Sequence, residues 1–152
     1  MPRKIVIVSD HAGFSLKKSL VGYLKRQGYD VLDLGPSTDE NALDYPLKAK
    51  EIAKEIKKDS AARGIAICGT GIGISIVVNK FKGIRCGLCS NEYTARMCRQ
   101  HNDAQVMAMG ARVTGQAVAL SMVDAFLDEP FAGDRHAVRV NDIKAQEEEF
   151  FK

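Results

Sequence analysis

A strongly apolar segment that ends in a cysteine and a run of glycines constrains the fold of this chain more than any other feature. Residues 64–73 read GIAICGTGIG, and the apolar part predicts a strand buried on both faces, as in parallel sheets. The glycines allow a sharp turn that exposes backbone N–H groups. A short apolar segment, Ile74–Asn79, predicts a helix directly afterwards. This order indicates an α/β protein with an anion-binding turn beside Cys68.

Strand and helix patterns alternate along the whole chain of 152 residues. Strands are predicted at Lys4–Asp10, Tyr29–Gly35, Gly64–Cys68, Arg85–Ser90 and Ala104–Gly110. Helices are predicted at Phe14–Gln27, from Pro46 through Ile56, at Ile74–Asn79, from Glu92 to Arg99, at Gly115–Leu127 and in a tail over Val138–Phe151. The pattern predicts one domain over residues 1–152, a Rossmann-like three-layer αβα sandwich with a five-stranded parallel sheet and a C-terminal helical tail.

The composition excludes several classes of function. Hydrophobic residues make up 45% of the chain and charged residues 27%, and the net charge is only +3 with both signs mixed, which argues against a nucleic-acid-binding surface. No segment approaches the roughly 20 apolar residues that span a bilayer, and the apolar run Ile5–Val8 is too short for the core of a signal peptide. We therefore expect a cytoplasmic protein that binds neither nucleic acid nor membrane.

The four cysteines do not predict a metal site. Cys86 and Cys89 form a C-x-x-C pair, but inside a predicted strand residues three apart point to opposite faces. A zinc site also needs a second pair of ligands at a suitable spacing, and none is evident. Reduced, partly buried thiols are expected instead.

The carboxyl ends of the predicted strands gather the residues that could carry chemistry, because ligands bind at this edge of a parallel sheet. The edge carries a carboxylate, an imidazole, a thiol with its glycine turn and a guanidinium, at Asp10, His11, Cys68 and Arg112. A simpler interpretation is that Asp10 caps the next helix and that His11 is merely exposed.

Cys68 and the turn after it can each be interpreted as functional or as purely structural. A helix N-terminus would stabilise a thiolate at Cys68, which could act as a nucleophile or as the base for a carbon acid; otherwise Cys68 is a small buried hydrophobe. The glycine turn could allow close packing of a helix on a strand, or it could bind a dinucleotide. The dinucleotide fingerprint, however, normally occupies the first strand–helix turn, where this chain has SDHAGF.

Two further polar groups lie elsewhere in the sequence. His101 and Asn102 precede the fifth strand and so belong to the opposite edge of the sheet from Cys68. They are either a polar loop or residues that a neighbouring subunit uses. Arg135 and Arg139, four residues apart, can grip a phosphate from one side of a helix, or they form a solvated basic turn.

Several of these segments together resemble one known family. SDHAGF, DYP at Asp44–Pro46, ICGTGIGISI, NKFKGIR, CRQHND, GAR and GDRHAVR appear in the order and spacing of the sugar-phosphate isomerases that include ribose-5-phosphate isomerase B and the galactose-6-phosphate isomerase subunits. The resemblance implies reversible aldose–ketose isomerisation of ribose 5-phosphate and ribulose 5-phosphate, in the non-oxidative pentose phosphate pathway. It also implies no metal or organic cofactor, and a homodimer, sometimes paired into tetramers, with active sites at the subunit interface.

The resemblance also implies a role for each site residue. Cys68 would be the base that moves a proton between C1 and C2, and Thr70 would assist proton movement between the two oxygens. The backbone of Gly69, Thr70, Gly71, Ile72 and Gly73 would hold the enediolate oxygen. His101, from the partner subunit, would open the sugar ring, with Asp10 near the ring oxygen. Phosphate would be bound by His11, Arg112, Arg135 and Arg139, with Arg112 from the partner, and the sugar pocket would be lined by Tyr45 and Asn102.

Two alternatives remain at this point. Within the same class, the substrate could be a six-carbon aldose phosphate such as galactose 6-phosphate or allose 6-phosphate. In a different class, the glycine turn could belong to a nucleotide-binding module, which would bind NAD or ATP and show no isomerase activity.

Overall fold

The computed structural model describes residues 2–38 and 44–151 and contains the alternating strands and helices that the sequence predicts. The strands are β1 (Lys4–Ser9), β2 (Asp30–Asp33), β3 (Arg63–Cys68), β4 (Cys86–Leu88) and β5 (Val106–Gly110). The helices are α1 (Phe14–Arg26), α2 (Tyr45–Lys58), α3 (Ile72–Val78), α4 (Glu92–Gln100), α5 (Gln116–Asp128) and α6 (Arg135–Phe150), and a short 3₁₀ turn at His11–Gly13 precedes α1. The strands form one parallel sheet in the order β2-β1-β3-β5-β4, so the predicted α/β architecture is confirmed.

The central strands are buried on both faces, and their alternate residues pack into two separate cores. In β1, Ile5 and Ile7 contact one core, whereas Val6 and Val8 contact the other. The first core is completed by α1, α4 and α5, and the second by α2 and α3. The sheet therefore lies between two layers of helices, as expected for parallel strands.

The apolar spacing in α2 explains how this helix packs. Ala49, Ile52, Ala53 and Ile56 are the buried residues of α2, and their spacing of three and four residues places them on one helical face. Pro46 lies in the first turn, where its missing N–H leaves no intrahelical bond unmade.

The C-terminal helix α6 lies outside the two layers. Only His136 and Val140 of this helix are buried. Lys82 forms an ion pair with Glu148 at 2.8 Å, and the Gly83 N–H donates to Glu147 Oε1 at 2.7 Å. These contacts fix α6 against the loop that leads into β4.

Several boundaries differ from the sequence prediction by one to three residues, and three of these differences have a clear local reason. β4 is shorter than predicted because the chain turns away after Cys89, whose N–H still donates to Ala108 O at 3.0 Å, toward the N-cap of α4, where Asn91 Oδ1 accepts from the Thr94 N–H at 2.8 Å. Helix α3 begins two residues early, since Gly71 at φ 81° ends the turn immediately before it. Helix α6 begins three residues early, at Arg135, after the positive-φ pair Gly133 and Asp134.

The strand order creates a crevice at the carboxyl ends of β1 and β3. The chain leaves β1 toward β2 on one side, whereas β3 and β5 lie on the other side. Helices on opposite faces leave a cleft at such a switch point, which is where α/β proteins bind ligands. Ser9 pairs with Ile67, and Cys68 pairs with Gly110, so the three central strands end almost level at this cleft.

Candidate functional site

Cys68 is the last residue of β3 and faces the glycine turn. Its side chain is 4% exposed, and its Sγ accepts a hydrogen bond from the Gly71 N–H at 3.1 Å. This backbone donor holds the sulfur against the turn, directly before the N-terminus of α3. The thiol is thus held in one place at the cleft.

The glycines of the turn are required by close packing as well as by conformation. Gly71 has φ 81°, and a Cβ there would come within 2.7 Å of the Met109 backbone carbon. A Cβ on Gly110 would lie 2.5 Å from the Thr70 backbone. The turn therefore rests directly on the end of β5, which fixes its N–H groups relative to Cys68.

Two predicted site residues lie against the same turn. The Tyr45 ring covers Gly73 so closely that a Cβ there would come 2.5 Å from the ring. The Arg112 guanidinium lies over Gly69, with Nη1 3.2 Å from the position of a Cβ, and the Arg112 N–H donates to Gly69 O at 2.9 Å. Within one chain, β5 therefore ends with Arg112 beside the turn that follows Cys68, whereas the family resemblance implies an Arg112 from the partner subunit.

Asp10 performs the capping role that was its simpler interpretation. Asp10 Oδ1 accepts from the Gly13 N–H at 3.1 Å and caps the 3₁₀ turn. Asp10 itself lies at the cleft, because its backbone N–H donates to Ile67 O at the end of β3 at 3.1 Å. His11 follows and is exposed. Thr70 is also exposed, and its Oγ1 accepts from the Ile72 N–H at 3.2 Å.

The remaining predicted residues lie at the opposite end of β5. His101 follows the last residue of α4, before β5 begins, whereas Arg112 follows the end of that strand. Val106 and Gly110 are four residues apart, so β5 alone separates the two groups by about 13 Å. One chain does not bring His101 and Cys68 together.

A residue absent from the predicted site, His136, joins His101 to α6. The two imidazole rings stack with centroids 4.2 Å apart and planes inclined by 10°. Burial lowers the pKa of His136, and the positive charges of His101, Arg135 and Arg139 lower it further. The segment GDRHAVR contained this histidine, but nothing in its local pattern indicates a stack with a residue 35 positions earlier in the chain.

The site residues thus form two groups. The rim group contains Asp10, His11, Tyr45, Cys68, residues 69–73 and Arg112. The His101 group contains His101, Asn102, Arg135, His136 and Arg139. The rim group offers a thiol, backbone donors and a cation, whereas the His101 group offers imidazoles and two further cations.

Other site types find no support in the part of the chain that the structure describes. Residues 2–38 and 44–151 contain no cluster of three or more metal-binding side chains. Over the same ranges no helix combines the length and apolar character needed to cross a bilayer. Cys86 and Cys89 contact different cores, as predicted for opposite faces of a strand.

Comparison with known proteins identifies relatives along nearly the whole chain. The family model described as "Ribose/Galactose Isomerase" matches residues 5–143. Ribose-5-phosphate isomerase B of Escherichia coli is 44% identical over 146 residues, which cover 96% of this chain and 97% of that protein.

Solved structures of similar proteins share the fold. Ribose-5-phosphate isomerase B of Clostridium thermocellum is 47% identical with a TM-score of 0.93, covering 97% of this chain and 99% of that one. The Mycoplasma genitalium enzyme of the same name, solved with bound ribulose 5-phosphate, is 39% identical with a TM-score of 0.94, covering 98% and 99%.

Proposed function

This chain belongs to the ribose/galactose isomerase family, and from that premise we propose how its two groups of residues carry out the reaction. It is an isomerase that interconverts ribose 5-phosphate and ribulose 5-phosphate, as its relatives' names indicate. The observation that carries the mechanism is the position of Cys68, buried at the end of β3 with its Sγ bonded to the Gly71 N–H.

Cys68 is the base that moves the proton between the two carbons. Its thiolate removes the proton from C2 of the open-chain aldose, which gives an enediolate, and the thiol returns that proton to C1 to give the ketose. General acid–base catalysis requires the base within hydrogen-bond reach of the proton it removes. A fixed Sγ at the mouth of the cleft meets this requirement, whereas a mobile surface thiol would not.

The glycine turn stabilises the charge that develops on oxygen. Backbone N–H groups aimed at an enediolate oxygen lower the barrier because they need no reorganisation during the reaction. The contacts of Gly71 and Gly110 with the backbone below hold residues 69–73 in place. The exposed Thr70 hydroxyl assists the proton transfer between O1 and O2.

His101 and Asn102 reach the cleft from a second subunit. His101 opens the sugar ring, Asp10 holds the sugar near the ring oxygen, and Asn102 and Tyr45 line the pocket. The stack of His101 on His136 means that α6 moves with His101. Arg135 and Arg139 therefore come from the same subunit as His101, and with His11 and Arg112 of the other subunit they bind the phosphate.

Binding the phosphate between two subunits orients the reacting carbons at Cys68. The active form is accordingly a homodimer with two shared sites, which can pair into a tetramer. We place the protein in the cytoplasm, because its doubly charged substrates do not cross an apolar bilayer unaided.

A direct assay tests this function. The purified protein is incubated in parallel with ribose 5-phosphate, galactose 6-phosphate and allose 6-phosphate, and ketose formation is measured. We expect the highest kcat/KM for ribose 5-phosphate. A preference for either six-carbon sugar would assign the protein to the other branch of the family, and tight NAD binding without isomerisation would support the nucleotide-binding alternative.

A further inference from the structure

A second cavity lies at the edge of the sheet where β3 and β5 begin, opposite Cys68. Its volume is about 480 Å³, within the usual range for small-molecule sites. It is open to solvent on one side and is lined by the end of α2, the start of β3, the loop before β4 and the middle of α6. Its charged lining residues are Lys57, Arg63, Lys82, Arg85, Asp103 and Lys144.

The positive charges in this cavity exceed the negative charges that face them. Asp103 lies 3.6 Å from Arg85 and 2.9 Å from Arg99, and Lys82 pairs with Glu148. Among the described residues, no carboxylate lies within 4.0 Å of the charged nitrogens of the other three cations, Lys57, Arg63 and Lys144.

Arg63 has one nitrogen that is buried without a partner. Its Nη1 donates to Ala62 O at 3.0 Å and to Ser60 O and Ala61 O at 3.4 Å, but its Nε is buried and has no hydrogen-bond partner among the described residues. Burial lowers the pKa of Arg63 to about 10, and the nearby positive charges of Arg99 and Arg3 contribute to the shift. A partly buried guanidinium with no carboxylate beside it gains stability from a bound anion.

We propose that this cavity binds a small molecule with a diphosphate group. Two linked phosphate groups carry about three negative charges at neutral pH, which matches the three cations that lack a carboxylate. The positive charge of the Arg63 guanidinium attracts one phosphate group, while the two lysines act as point charges. This ligand differs from the sugar monophosphate of the active site, and the site lies at the other edge of the sheet.

The cavity also contacts the loop that carries His101 and Asn102. Arg85 Nε donates to Asn102 O at 2.8 Å, and Arg85 Nη2 donates to Asp103 O at 2.9 Å. Because Arg85 supports this loop as well as lining the cavity, substitutions of Arg85 would not separate the two roles. Lys57 and Lys144 are better positions for a test, since both are exposed.

Calorimetric titration with inorganic pyrophosphate, without divalent metal, tests the proposal. We expect the double variant Lys57→Gln/Lys144→Gln to bind at least about tenfold more weakly than the wild type. The matched control is Lys50→Gln/Lys54→Gln, which removes the same charge from exposed positions of α2 outside the cavity. An equal loss of pyrophosphate affinity in both double variants would overturn the proposal. Unchanged affinity in Lys57→Gln/Lys144→Gln would also overturn it.

Two further arms exclude the active site and define the ligand. Pyrophosphate binding should survive in the Arg112→Gln/Arg139→Gln background, and its loss there would place the binding at the substrate's phosphate site instead. Inorganic phosphate should bind more weakly than pyrophosphate, and equal affinities would contradict a diphosphate ligand. Adenosine diphosphate binding more tightly than pyrophosphate would identify the ligand as a nucleotide, and the reverse order would identify free pyrophosphate.

Discussion

At the scale of single residues, close contacts around the glycine turn decide which positions tolerate change. Gly71 and Gly83 have almost the same backbone φ, at 81° and 85°. A Cβ on Gly71 would meet Met109 and Leu88 at 2.7 Å, whereas a Cβ on Gly83 would meet nothing within 4 Å. The two positions therefore separate the effect of conformation from the effect of crowding.

Replacing Gly71 by Ala should lower the free energy of unfolding by about 2–4 kcal/mol, because left-handed strain and overpacking add. Gly83→Ala, which carries the strain alone, should cost about 1–2 kcal/mol. Urea unfolding followed by circular dichroism measures both values. Equal values for the two variants would mean that the turn does not rest rigidly on β5.

Cys68→Ala should reduce kcat by a factor of about 10²–10⁴, the usual contribution of a general base. Substrate binding and thermal stability should change little, since the substitution removes one sulfur at the edge of the core. Cys86→Ala is the matched control and should retain activity, because Cys86 lies near the start of β4, away from the cleft. Kinetics of both variants with ribose 5-phosphate check the prediction; near-normal turnover by Cys68→Ala would exclude the thiolate as the base.

The sequence alone predicted the contacts that depend on local order, such as that between Cys68 and the glycine turn. Cys68 and the glycines are consecutive, so their contact follows from the turn itself. The sequence did not predict the environment of Lys17. This residue lies on the buried face of α1 with its side chain 2% exposed, and its Nζ is 2.7 Å from Asp33 Oδ1. A lysine at that position indicates a solvated face, and only the packing of α1 beside β2 provides the partner that makes its burial possible.

At the scale of secondary-structure elements, the sequence predicted the kinds and order of elements but not how the last helix is attached. Strand and helix periodicities depend on neighbours within a few residues, and they predicted all five strands. The packing of α6 depends instead on contacts such as the stack between His101 and His136. Such a contact joins distant parts of the chain and has no periodic signal.

This stack should make stability depend on pH. Burial lowers the pKa of His136 in the folded protein, while an unfolded histidine has a pKa of about 6.5. As the pH falls below about 6.5, the unfolded chain binds a proton that folded His136 does not, so stability decreases toward the lowered pKa. At higher pH both states are neutral and the effect is absent.

His136→Phe should remove that part of the pH dependence while leaving an aromatic ring to stack on His101. Thermal unfolding between pH 5 and pH 8 at one protein concentration measures the change. His11→Asn serves as the control, because His11 is exposed, and it should keep the wild-type slope. A His136→Phe profile parallel to that of the wild type would contradict the role assigned to this imidazole.

At the scale of the whole molecule, the two groups of site residues determine which variants can complement each other. Cys68→Ala damages the rim group, and His101→Asn damages the His101 group. A heterodimer of these two chains contains one intact site and one doubly damaged site, if the sites are shared. Random mixing should therefore restore about a quarter of the wild-type activity.

The control for this experiment mixes Cys68→Ala with Arg112→Ala, since both positions belong to the rim group of one chain. Every site of that heterodimer carries one damaged residue, and no activity should return. Heterodimer formation is verified by mass spectrometry after joint refolding. Equal recovery in both mixtures, or none in either despite confirmed heterodimers, would argue against shared sites.

The length of β5 has a consequence for the protein in dilute solution. Because this strand separates Cys68 from His101 within a chain, a lone subunit holds only half of each proposed site. Specific activity should then depend on protein concentration. Below the dissociation constant of the dimer, each twofold dilution should roughly halve the turnover per mole of chain, and saturating substrate, which contacts both subunits, should shift this threshold to lower concentrations.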